Sequence, residues 1–291
     1  MMRYSFFFPS VSKVAIAVLV MSVIMGVPLF AADGVIEINQ ARALAGGVTP
    51  GDTPGFPVTI SVSGSYRLTS NLDVTGQPTP QNVTAIAVVA GATNVTIDLN
   101  GFAIIGPESC SGTPISCTPG PGGGDGINNM ALGSVTVRNG IVRGMGRAGI
   151  ALSGGSLVEK VHVITNATDG IYINTGIVRE CVAASNGAFG IITDGTAMVT
   201  QNVTQANGMD GIQVAGGTVS GNTAMGNGGN GLTLNVNPGL ASFNNSNGNS
   251  GWAVLIVSAN SGYLGNVMAG AKTVSGGTNQ GQNLCNGALC P

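Results

Sequence analysis

The chain has 291 residues, of which 48 are glycine and only 8% are charged, where an ordinary globular domain carries about 25%. The glycines follow no three-residue period, which excludes a collagen-like triple helix, and the 43% apolar content argues against a disordered chain. Ten basic and 12 acidic residues leave a net charge of −2 with no Lys/Arg cluster, so no nucleic-acid partner is expected. Aromatics are only 4%, which suits a core of many thin layers better than one thick one.

Arg3 and Lys13 lead into an apolar run over residues 14–30 that closes on Ala31 and Ala32. A basic start, an apolar stretch and a small-residue end read as a secretory signal over residues 1–32. The alternative is an uncleaved anchor, for which a run of about 17 residues is at the short limit. Removing Arg3 and Lys13 leaves 8 basic against 12 acidic residues, a net charge of −4 that favours solubility. No later segment is apolar for long enough to cross a bilayer, so no membrane span is expected after cleavage. Secretion and a periplasmic location are equally open.

Residues 33–80 read as an N-terminal cap and an opening coil, with a short helix at Gln40 to Leu44. An irregular insertion follows near residues 107–125, containing Pro119 and a Gly-rich stretch up to Asp125. It is expected as a passive loop, the alternative being a loop that shapes a binding site. Cys110 and Cys117 flank its first part, and Cys285 and Cys290 stand near the C-terminus. In an oxidising compartment these are two local disulfides, with Cys181 left over as a small buried filler. Zinc fits poorly, because the spacings are unequal and His162 is the single histidine. No metal site is expected.

The dominant feature is an internal repeat over residues 81–270. Glycines followed by an apolar residue recur at Gly126, Gly149, Gly170, Gly190, Gly211, Gly231 and Gly251, spaced by 23, 21, 20, 21, 20 and 20 residues. Four residues before the last five stand Asn166, Asn186, Asn207, Asn227 and Asn247. A second column, nine residues before, runs Val161, Cys181, Asn202, Asn222 and Ser242. Short apolar alternations divided by Gly and Asn are strands and turns, and one repeat cannot bury its own apolar side. Repeats must therefore stack, with like residues about 4.8 Å apart. The stacked asparagines form a buried ladder, tolerable only when its members hydrogen-bond to each other and to backbone. The fold class is all-β, a single-stranded parallel β-helix of three-strand coils with about 20–21 residues each. Residues 271–291 lie outside the repeat and read as a C-terminal tail or cap carrying a cysteine pair.

The recurrent Asn-x-x-x-Gly-[Ile/Leu] unit, from about Asn94 to Met268, resembles the right-handed parallel β-helix repeat of the pectate-lyase-like superfamily. The chain is also similar to secreted bacterial β-helix proteins of unassigned activity. Right-handedness is implied by the resemblance and by the crossover rule. The resemblance further implies that a glycan would lie along one strand face. There Tyr172 could stack on a sugar ring, and Asn174, Asp194, Gln213 and Asn235 could bond its hydroxyls.

Catalytic candidates are few. Asp169 and Asp210 are two coils apart, about 10 Å, a separation that could suit inverting glycoside hydrolysis. Asp194 is a third candidate. Against this, Asp before Gly is ordinary turn chemistry, and all three precede a glycine. The motifs of polygalacturonases are absent, and His162 falls on an outward position. Arg147 is placed as a partner for Asp169. The leading expectation is an exported, non-catalytic scaffold, a monomer without cofactor, with either a purely structural surface role or binding of a polysaccharide or cell-surface glycan on its strand face. The alternative is a polysaccharide-active enzyme, a lyase, glycoside hydrolase or uronate epimerase, with calcium required only for the lyase.

Overall fold

Along each repeat, Val, Ile and Leu alternate with small or polar residues, so one side of every strand is apolar and must be covered by its neighbours. In the computed structural model, which describes residues 1–2, 34–129 and 133–291, parallel strands stack on three faces. The expected signal, apart from Met1 and Met2, lies outside the described residues. Among the described residues no helix is long and apolar enough to cross a membrane.

The first face begins with Val58–Ile60, Ile86–Val88 and Ile127–Asn129. It continues through the opening residues of the long strands Ile150–Ile164, Ile171–Arg179, Ile191–Thr200 and Ile212–Ser220. It ends in Leu232–Leu234, Val254–Ile256 and Val274–Ser275. The second face runs from Val35–Ile38 to Thr278–Asn279, and the third from Leu72–Asp73 to Leu284–Cys285. Ile150–Ile164 serves all three faces in turn. Ile127, Ile150, Ile171, Ile191, Ile212, Leu232 and Val254 stack in register, and all are 0% exposed.

Two asparagine ladders run up the interior. In the first, the Oδ1 of Asn186 accepts the backbone N–H of Asn166 at 3.1 Å and its Nδ2–H at 2.9 Å, and Asn207, Asn227 and Asn249 repeat this on successive coils. Each Nδ2 from Asn186 onwards also donates to a backbone carbonyl, as Asn207 does to Ala183. The second ladder links Asn202, Asn222, Asn244, Asn266 and Asn283 in the same manner, and Cys181 donates its backbone N–H to Asn202. Cys181 is buried and free, and burial pushes its thiol up to about 12.

The repeat glycine is explained by space. A Cβ on Gly190 would stand 2.6 Å from the carbonyl oxygen of Gly211 and 2.7 Å from Nδ2 of Asn207 on the next coil. The glycine therefore makes room for the ladder. Ala253 occupies this position where the first ladder has ended at Asn249 and no asparagine follows on the next coil.

Two expectations are corrected. Asn247 is not the fifth rung: it is exposed, within Asn245–Asn247, and Asn249 takes the place. The coil here is two residues longer, so Val254, not Trp252, pairs with Leu232, and Asn244, not Ser242, continues the second ladder. Residues 271–291 are not a tail outside the repeat. Val274–Ser275, Thr278–Asn279 and Leu284–Cys285 form a shortened last coil in parallel register with the coil below.

At the other end, Gln40–Ala45 forms the short helix, started by Asn39, whose side chain accepts the Arg42 N–H. Both disulfides form, Cys110–Cys117 and Cys285–Cys290. The first closes a hairpin of Ser109–Ser111 and Ser116–Thr118. This hairpin packs on the outside of a corner, with Cys110 Sγ 3.3 Å from the carbonyl oxygen of Thr165. Beside it Glu108 is buried: Oε2 accepts the Gly120 N–H, Oε1 has no partner, and burial pushes the carboxyl up.

Candidate functional site

The residue before each repeat glycine, or before Ala85 at the equivalent place on an early coil, closes the corner that leads onto the first face. There its side chain can accept the N–H of the equivalent residue one coil on. Thr84 does so for Asp125 at 3.2 Å, Asp125 for Ala148 at 3.1 Å and Asp169 for Phe189 at 3.2 Å. Asp210 does so for Asn230 at 2.7 Å, and Asn230 for Trp252 at 2.7 Å. The Asp-Gly dipeptides are thus turn-closing groups that tie one coil to the next.

Asp125 and Asp210 are wholly committed to this work. Asp210 is 8% exposed, and its second oxygen accepts from Thr233 Oγ1 at 2.6 Å and Asn230 Nδ2 at 3.3 Å. It therefore does not face Asp169 across a water-sized gap as hydrolysis would need. Asp125 is 0% exposed and takes Arg147 Nε at 2.7 Å, a second contact from Arg147 Nη2, and Asn128 Nδ2 at 2.5 Å. The expected Arg147–Asp169 pair is corrected: Arg147 bonds Asp125, and this contact raises the pKa of its guanidinium. The insertion is accordingly more than a passive loop, since its last residue anchors this cation.

Between these corners and the first face lies a cleft of about 220 Å³, lined by Arg147, Ala148, Ala151, Asp169 and Tyr172. Ala148 and Ala151 are each 3% exposed and give it a flat, small-residue floor. Tyr172 forms a wall, and its hydroxyl donates to Asp194 Oδ2 at 2.7 Å. Asp169 offers Oδ2, which has no protein partner among the described residues.

Electrostatics follow from this layout. Burial raises the Asp169 carboxyl above its ordinary range, the Phe189 N–H and Arg147 oppose the rise, and the charges of Asp125 and Asp194 add to it. Tyr172 is pushed up to about 12, first by its bond to Asp194 and then by burial. The phenol is therefore a donor at neutral pH. Among the described residues no three His, Cys, Asp or Glu side chains are grouped so that they could hold a metal ion.

Of the residues singled out from sequence, the structure brings Asp169, Tyr172 and Asp194 together. Asn174 is exposed just past the Tyr172 strand position, outside the cleft. Gln213 and Asn235 stand on later coils and do not line it. Asp125, Arg147 as its partner, and the two alanines are the additions. Asp125-Gly126 carries the same dipeptide signal as Asp169-Gly170, hidden by its place at the end of the insertion. No family model matches this chain, and no curated protein matches it.

Proposed function

We propose that this chain is an exported, non-catalytic β-helix scaffold that binds a polysaccharide or cell-surface glycan in the first-face cleft. The observation that carries the reading is the Tyr172–Asp194 pair beside the free oxygen of Asp169, over a floor of two alanines. An aromatic wall and a flat floor accept the apolar face of a sugar ring, while a few fixed polar groups hold its hydroxyls. The volume suits one ring. Two disulfides fit export to an oxidising compartment. The fold analogy with the pectate-lyase-like superfamily supports a glycan ligand and says nothing of chemistry by itself. Tyr172→Ala removes the wall without touching the core. It should leave the thermal midpoint unchanged and abolish retention on the glycan that captures the wild type; unchanged retention would remove this cleft from the function.

One observation favours the second reading, a polysaccharide-active enzyme. A carboxyl raised by burial is what a general acid requires, and Asp169 is such a group. That reading needs a second carboxylate or base with access to the same sugar, and Asp194 is the available one.

A further inference from the structure

Resting on the glycan-binding reading, we infer that the cleft selects a cationic amino sugar, a hexosamine with a free ammonium, over neutral and uronic sugars. The distribution of charge around the cleft sets this preference. Among the described residues Arg147 is the one cation lining it, and Nε and Nη2 both face Asp125. A fully buried carboxylate needs a partner charge, so the charge of Arg147 is offset by Asp125, although its side chain is half-exposed, and the acids around the cleft outnumber it. Two carboxylates remain at the opening: Asp169, with Oδ2 free, and Asp194 on the Tyr172 hydroxyl.

Among the described residues no other cation lines the cleft. Lys160 and Arg179 lie on the second-face side of these coils, paired with Glu180 and Glu159. Lys272 stands on a much later coil, 5.9 Å from the centre of the Trp252 ring. An ammonium in the cleft meets Asp169 and Asp194 while the sugar ring packs on Tyr172, whose face also attracts a cation. A uronate would bring its carboxylate against the same two acids, an arrangement that complementarity penalises.

The test is calorimetric titration of the full chain with three oligosaccharides of equal length: glucosamine, N-acetylglucosamine and galacturonate. The first two differ at each unit by the acetyl group that removes the charge. The glucosamine oligomer should bind about tenfold more tightly than the acetylated one, an advantage that high salt should erase. Asp169→Asn and Asp194→Asn should each cost it about threefold to fivefold. Both variants keep an oxygen acceptor for the Phe189 N–H and the Tyr172 hydroxyl, so folding is not at stake. Equal binding of the amine and acetylated forms, or tighter binding of galacturonate, would overturn the charge preference and leave the glycan-binding reading standing. Binding of none of the three would overturn both.

Discussion

At the corner before Gly170, Asp169 uses one oxygen to tie the next coil and leaves the other in the cleft. The buried position has a consequence for stability. The folded-state pKa of Asp169 is raised, chiefly by burial, above the unfolded value near about 3.9. The folded chain therefore holds the proton at pH values where the unfolded chain has lost it. The stability this group supplies is complete below the unfolded value and is lost as pH rises through the folded one. Asp169→Asn should remove that fall. Thermal midpoints recorded between about pH 3 and 7 should show a shallower decline for the variant across this window, and parallel curves would mean that the carboxyl is not perturbed. Asp210, with the same Asp-Gly signature, has both oxygens occupied. A dipeptide marks the corner; whether the carboxylate also faces a ligand depends on the neighbouring coil. Beside Asp210 stands Thr233, and beside Asp169 stands the cleft.

Within each element, the asparagine ladders and the outward rows decide how coils align. Asn207 accepts two N–H groups from Asn186 and donates to Asn227 and Ala183, all buried. Asn207→Ala strands those donors and should cost about 3–5 kcal/mol, read from denaturant unfolding; a loss below about 1 kcal/mol would mean that the ladder is incidental. On the outer side of the second face, Glu37, Arg67, Asp98, Arg138, Glu159 and Arg179 occupy one row on successive coils, alternating in sign. Arg138 Nε bonds Asp98 Oδ2 at 3.1 Å. A slip of one coil would set like charges side by side, so the row favours the observed register. Arg138→Glu places three acids in succession, and Asp98→Arg beside it should restore part of the loss. A coupling of about 0.5–1 kcal/mol is expected from a double-mutant cycle, since Arg138 is half-exposed. No coupling would leave register to the core alone. This row was not legible from the sequence, because its members are separated by coils and insertions of unequal length, from Arg67 to Asp98 and from Asp98 to Arg138. The Asn-x-x-x-Gly unit was legible because one contact, the asparagine amide against the glycine of the coil below, fixes both residues at once.

For the whole molecule, spacing reports position only while coil length is constant. Coils of 20 and 21 residues carry the ladder from Asn166 to Asn227 without error. The 22-residue step to Asn249 then displaces every residue counted back from Gly251, and Gly251-Trp252 imitates the repeat pair. The final step, 17 residues from Asn266 to Asn283, is too short to resemble a coil, and that is why residues 271–291 read as a tail. The cleft was half legible for a related reason. Tyr172, Asp169 and Asp194 lie on coils of regular length. Asp125 and Arg147 meet at the end of an insertion, where the distance along the chain does not say which cation reaches which acid. What the solenoid does with this cleft is best tested by a turnover screen. The protein would be incubated with neutral, amino and uronic polysaccharides, with and without calcium, reading reducing ends, unsaturated products and uronate epimers, with binding measured on the same samples. A non-catalytic scaffold should retain a glycan and yield no product in any condition. Product formation that disappears in Asp169→Asn or Asp194→Asn would contradict the account and make this cleft an active site.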